Sequence, residues 1–191
     1  MPVVHRYDPP ERFVAGTVGP PGQRTFFLQA RSGTRITSVA LEKQQVAVLA
    51  ERVDLLLDEV MRGEGGAGLV PAVAPTALED TDPLEQPIDE EFRAGTMTLA
   101  WDPEDARVVI EVFPVDDDPV ETEPDAVEEA AEEEPEPDEV LLVSLPPAVA
   151  RAFSKRAQSV VAAGRPPCQF CGQPLDPAGH LCARANGHRR R

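Results

Sequence analysis

Glu11-Arg12-Phe13-Val14-Ala15-Gly16-Thr17 recurs later in the chain as Glu90-Glu91-Phe92-Arg93-Ala94-Gly95-Thr96, a shared E-x-F-x-A-G-T. The order of elements after each copy recurs too. The first copy is followed by two strand-like runs, RTFFLQA (24–30) and RITSVAL (35–41), with Arg31-Ser32-Gly33-Thr34 as the turn. Phe26, Leu28 and Ala30 alternate with Phe27 and Gln29, the period of a sheet strand. A helix is expected from about Lys43 to Arg62. Val46, Leu49, Val53, Leu56 and Val60 recur every three or four residues and fall on one stripe, which leaves Glu51, Arg52, Asp54, Asp58 and Glu59 for the other face. Gly63 is expected to end that helix in the left-handed conformation.

The second copy leads through FRAGTMTLAW (92–101), RVVIEVF (107–113) and VLLVSL (140–145) to a helix over about Pro147 to Ala163. Val149, Phe153, Ala157, Val160 and Val161 form its apolar stripe, and Gly164 stands where Gly63 stood. Pro146 and Pro147 suit a helix start, where the missing N–H costs nothing. The reading is therefore an α+β fold of duplicated β-β-β-α units, a mainly antiparallel sheet assembly carrying two helices. Residues 1–63 are the first unit and 92–164 the second. Residues 64–91 are rich in Gly, Pro and acidic residues, so they read as a flexible linker with no stable core element.

Charge is unevenly placed. The formal net charge is −16, but residues 116–138 hold thirteen Asp or Glu and no Lys or Arg, so the rest carries only −3. That run reads as a disordered acidic insert in the second unit, with too little apolar surface to fold. The sharper alternative is an internal shield for the basic tail. No stretch approaches the roughly 18 apolar residues of a membrane span, and the N-terminus lacks a signal-peptide pattern. The cytoplasm is the expected location.

Residues 165–191 read as a small zinc-knuckle-like module with a basic tail. All three cysteines lie in CQFCGQPLDPAGHLC (168–182), which suits metal binding in a reducing compartment better than disulfides. In Cys168-x-x-Cys171-Gly172 two thiolates can reach one ion from a tight turn, and His180-x-Cys182 supplies two further ligands. Cys168, Cys171, His180 and Cys182 would fill a tetrahedral Zn2+ shell and leave no open position, the mark of a structural site. His188 is the alternative fourth ligand. A metal-free tail and a redox C-x-x-C pair are the competing readings. The latter normally opens a helix after a strand, whereas this one follows Arg165-Pro166-Pro167.

Catalytic signatures are missing from the sequence: no nucleophile elbow, Walker motif or paired-acid motif occurs. Gly19-Pro20-Pro21-Gly22-Gln23-Arg24 reads as a hairpin turn rather than a phosphate loop. His5-Arg6-Tyr7-Asp8 reads as an extended leader packing Tyr7 on the domain, with no evident partner for His5. Arg184, Arg189, Arg190 and Arg191 form a basic cluster able to contact nucleic acid or a protein partner.

The segments YDPPERFVAGTVGPPGQRTFFLQA, TSVALEKQQVAVLAERV and CGQPLDPAGHLCARANGHRR resemble a family of actinobacterial conserved hypothetical proteins with a domain of unknown function. The resemblance implies a bacterial cytoplasmic protein whose gene often neighbours a phosphatidylinositol-kinase-like protein and a phosphoglycerate-mutase-like phosphatase. It brings no catalytic residues. The functional expectation is a non-enzymatic binding or adaptor protein with a structural zinc site, partnering a protein of that cluster. Nucleic-acid binding and an enzyme acting on a phosphorylated small molecule are the alternatives.

Overall fold

The computed structural model describes residues 3–63, 66–115 and 139–164, together with Cys168, Phe170, Cys171 and Cys182. In chain order the elements are β1 (Val3–Tyr7), β2 (Arg12–Val18), β3 (Thr25–Ser32), β4 (Arg35–Leu41), α1 (Lys43–Arg62), β5 (Glu90–Asp102), β6 (Arg107–Pro114), β7 (Glu139–Leu145) and α2 (Pro147–Ala162). Two 3-10 turns, Gly66–Gly68 and Thr76–Leu78, lie between α1 and β5. The fold is α+β: β5-β6-β7-α2 makes the second half β-β-β-α, and the first half has the same order in β2-β3-β4-α1 after one extra strand, β1. The acidic run 116–138 lies outside the described residues.

One seven-stranded sheet has the order β1-β7-β6-β5-β4-β3-β2. β2-β3-β4 and β5-β6-β7 are antiparallel meanders. The sheet is nevertheless mixed, because the meanders join through a parallel β4–β5 pairing and β1 adds parallel to β7. Residues 5–8, expected from sequence as an extended leader, begin within a strand, β1, that pairs with the edge of β7. The sequence reading did place Tyr7 against the domain, and Tyr7 is buried.

Chain connectivity forces this sheet to curl. β1 and β2 occupy opposite edges, yet only residues 8–11 separate them. Six interstrand spacings of about 4.8 Å would put flat edges about 29 Å apart. The five steps from Tyr7 to Arg12 span at most about 18 Å. The curl brings β1 against β4, where Tyr7 Oη lies 2.9 Å from Thr37 Oγ1 and the Arg35 guanidinium sits 4.2 Å from the Tyr7 ring centroid. β5 turns the other corner. Its first residues pair with β4, and the rest pairs with β6 after a register shift between Ala94 and Met97.

The shared glycines serve different ends. A Cβ on Gly95, inside the β5 bulge, would stand 2.6 Å from Pro114 O and 2.9 Å from Val115 Cα, so backbone itself fills the space. A Cβ on Gly16 would instead meet the Leu84 side chain at 2.5 Å. Gly95→Ala should therefore cost about 1–3 kcal/mol, the usual range for forcing a methyl into packed space. A thermal unfolding curve checks this, and an unchanged midpoint would show that the corner yields freely.

Both helices cover one face. The core beneath them joins Phe13, Leu28 and Val39 of the first meander to Phe92, Ile110 and Val143 of the second. In α1 the buried positions are Val46, Leu49, Ala50, Val53 and Leu57, so Leu57 rather than Leu56 completes the seam. In α2 they are Ala150, Arg151, Phe153, Ser154 and Ala157, a narrower and more polar face than the expected stripe. Small side chains let the helices close up, and Ser154 Oγ donates to Ala50 O at 2.8 Å. Asp54 and Asp58, assigned to the solvent face by periodicity, hold Arg151 at 2.9 and 2.7 Å. Gly63 ends α1 with φ −69°, not in the left-handed region, and its N–H caps Glu59 O and Val60 O.

The segment expected to lack core contacts has them. Val70 joins the main core, while Leu84 and Ile88 pack on Val14, Phe27 and Ala40 on the back of the first meander. That meander is thus covered on both faces. This explains why TFFLQA reads as a nearly continuous apolar run rather than a clean alternation. Gln29 fixes the segment's register: its side-chain amide accepts from Glu85 N at 2.8 Å and donates to Glu85 O at 3.0 Å.

Candidate metal centre

Cys168, Cys171 and Cys182 converge although fourteen positions of chain separate the first from the last. Their Sγ atoms all lie within 4.8 Å of one another, and Cys168 and Cys182 are buried. Cys168 Sγ stands 3.8 Å from Cys182 Sγ. A tetrahedral ion with Zn–S bonds of about 2.3 Å requires a sulfur–sulfur edge of about 3.8 Å, whereas a disulfide needs about 2.05 Å. The observed spacing therefore fits two thiolates sharing an ion.

The local turn supports the same chemistry. Phe170 N donates to Cys168 Sγ at 3.4 Å, the contact that a C-x-x-C turn makes when backbone N–H groups point at sulfur. The Cys168 thiol is held below the usual thiol range, first by the Cys171 backbone N–H and then by that of Phe170. Backbone donors stabilise the thiolate, the form that binds metal. The cluster could thus hold a metal ion through three sulfurs. His180, His188 and the arginines Arg184, Arg189, Arg190 and Arg191 lie outside the described residues.

A family profile described as "Protein of unknown function (DUF3090)" matches residues 5–182. The chain belongs to the DUF3090 family. The match takes in both meanders, both helices and the cysteine segment up to Cys182, so in this DUF3090 chain the thiol cluster is part of the family's domain. No curated protein and no solved structure matches the chain.

Two further polar clusters were not visible from sequence. In the first, Arg12 of β2 grips Asp80 with Nε at 2.7 Å and Nη2 at 2.9 Å, and Arg156 of α2 binds the same carboxylate. Arg156 also donates to Ala15 O at 2.9 Å and Asp82 O at 2.6 Å. The hydrogen bond to Arg12 holds the Asp80 carboxyl below its ordinary range. The two guanidiniums move oppositely: Arg12 is raised by that bond, while burial and then the nearby Arg12 charge act to lower Arg156. Both stay charged at neutral pH. A cleft of about 350 Å³ opens beside this cluster, lined by Glu79, Asp80, Lys155, Arg156 and Val160 among others. Its cations already face carboxylates, Lys155 on Glu79 and Arg156 on Asp80, so the cluster works as a clamp on the connecting segment.

The second cluster surrounds His5. His5 Nε2 lies 2.6 Å from Glu139 Oε1, and its Nδ1 lies 3.4 Å from Thr37 Oγ1. The signal for this pair is topological. Once β1 is laid parallel to β7, His5 aligns with Leu141, and Glu139 becomes its neighbour on the same face. Nothing local in the sequence pairs β1 with β7.

Proposed function

We propose that this DUF3090 chain is a non-enzymatic binding protein, an adaptor of the cytoplasm, whose cysteine segment folds around one structural zinc ion. The observation that carries this reading is the convergence of three sulfurs at tetrahedral spacing. His180 supplies the fourth ligand, with His188 as its substitute. A closed shell has no position for substrate, so the ion's role is to hold a surface. The charged residues lining the 350 Å³ cleft support the same view, being spent on one another. No helix among the described residues is long and apolar enough to cross a membrane.

The partner follows from the sequence resemblance: a kinase-like or phosphatase-like protein encoded nearby. Arg184, Arg189, Arg190 and Arg191 are the residues offered to it. The test is affinity capture of the tagged chain from its native cells, with and without residues 184–191, followed by mass spectrometry. Retention of one of those proteins, lost on truncation, is the expected result. Salt-sensitive retention of nucleic acid instead, or turnover of a phosphorylated small molecule by the purified chain, would overturn the reading.

A further inference from the structure

We infer that His5, Glu91 and Glu139 form a second metal site, open on one side, for a divalent transition-metal ion of the Zn2+ or Mn2+ class. The three side chains come from β1, β5 and β7, and one ligand atom of each lies within 4.8 Å of the other two. One imidazole and two carboxylates are a mixed donor set that Zn2+, Fe2+ and Mn2+ accept and softer ions do not favour.

The setting of the histidine is what separates this cluster from a chance meeting of charges. Nδ1 of His5 faces Thr37 Oγ1, and Thr37, itself buried, is tied to the buried Tyr7 hydroxyl at 2.9 Å. A histidine that binds metal through one nitrogen commonly anchors the other to a fixed partner, which sets its tautomer and orientation. With Nδ1 facing Thr37, Nε2 is the ring nitrogen that faces Glu139 Oε1, at 2.6 Å. Among the described residues the Glu91 side chain makes no ion pair or hydrogen bond, and it is exposed. Among the described residues, therefore, no arginine or lysine neutralises the second carboxylate.

An ion with ligand bonds of about 2.0–2.2 Å sets neighbouring donors about 3.0–3.5 Å apart. The His5–Glu139 pair reaches that by opening less than about 1 Å, and Glu91 by a rotation at an exposed position. Three protein ligands leave at least one coordination position on the solvent side, for water or an anionic ligand. This is unlike the closed cysteine shell and does not depend on it.

The test uses the full chain carrying Cys168→Ser, Cys171→Ser and Cys182→Ser, so that thiolates are out of play. Mn2+ is followed by the electron paramagnetic resonance of the free ion, and Zn2+ by competition with a chromophoric chelator. The expected result is one ion bound per chain. Affinity should fall at least about tenfold in His5→Asn, Glu139→Gln and the exposed Glu91→Gln, and by about tenfold or more in Thr37→Val, which removes the contact to His5 Nδ1 together with the hydrogen bond to Tyr7. Failure of both ions to bind, or binding unchanged across His5→Asn, Glu139→Gln and Glu91→Gln, overturns the inference. Because Glu91 is exposed, its variant keeps the fold and the result readable.

Discussion

Purified protein is expected to carry one zinc ion through Cys168, Cys171 and Cys182, and Cys171→Ser or exhaustive chelation is expected to remove it. Metal analysis of wild type and Cys171→Ser, both carrying Glu139→Gln so that the His5 cluster adds no ion, reads this directly. The expected size is large. Structural zinc in finger-like segments contributes about 10–16 kcal/mol of apparent binding free energy, and such segments are unfolded without it. Between Cys171 and His180 the sequence runs Gly172-Gln173-Pro174-Leu175-Asp176-Pro177-Ala178-Gly179, turn-forming residues with Leu175 as the one large apolar side chain. Loss of metal should therefore be followed by rapid proteolysis within 165–191, mapped by mass spectrometry, while the fragment ending near Ala162 survives. The pH sense is fixed by the ligands. Protons compete with metal for thiolates, so acid releases the ion and alkali does not. Wild-type protein purified without any bound metal would end the zinc assignment.

Much of the body was legible because its signals are local. The E-x-F-x-A-G-T echo marks the first strand of each meander, and periodicity gave α1 over Lys43–Arg62 and α2 from Pro147. Strand alternation also located β3, β4, β6 and β7 to within about two residues, the usual uncertainty of element ends. What escaped depends on contacts between distant parts of the chain. β1 is five residues of VVHRY whose only reason to be a strand is the edge of β7. The 64–91 segment looks like a linker by composition, yet Leu84 fits the notch left by Gly16 and Gln29 pairs with its backbone. Neither is a property of the segment itself. Asp54 and Asp58 look solvated on a helical wheel, but α2 brings the buried Arg151 to them. The cysteine cluster was legible because ligand types and spacing are written in one short stretch. His5, Glu91 and Glu139 were not, since three strands must first be placed.

Asp80→Asn is expected to destabilise the fold by about 3–5 kcal/mol, the cost of removing one partner from a largely buried ion pair. Asp80 is the carboxylate shared by Arg12 and Arg156, whose side chains are each only 11% exposed. Without it the two guanidiniums would be left with carbonyl oxygens, those of Ala15, Asp82 and Pro83 among them, and the more distant Glu85 carboxylate, 3.7 Å from Arg12 Nη1. The clamp also joins parts far apart in sequence: β2 of the first meander, α2 of the second, and the segment between them. Its loss should loosen the stacking of Phe13 on Phe153, whose rings lie 4.6 Å apart beside it. Denaturant unfolding of wild type and variant measures the difference. The pH dependence tells the ion pair apart from simple packing. Asp80 has its folded-state pKa lowered, so its contribution is fully present above the unfolded value of about 3.9 and is lost as pH falls through the folded value. The gap between wild type and Asp80→Asn should thus be constant near neutrality and close only in acid, below the ordinary carboxylate range. A gap that stays the same down to the lowest pH at which both proteins fold would mean that Asp80 acts through shape rather than charge. Arg12→Lys gives a second reading, because lysine keeps the charge but cannot form the two-pronged contact. It should cost less than Asp80→Asn, and its pH profile should keep the same sign.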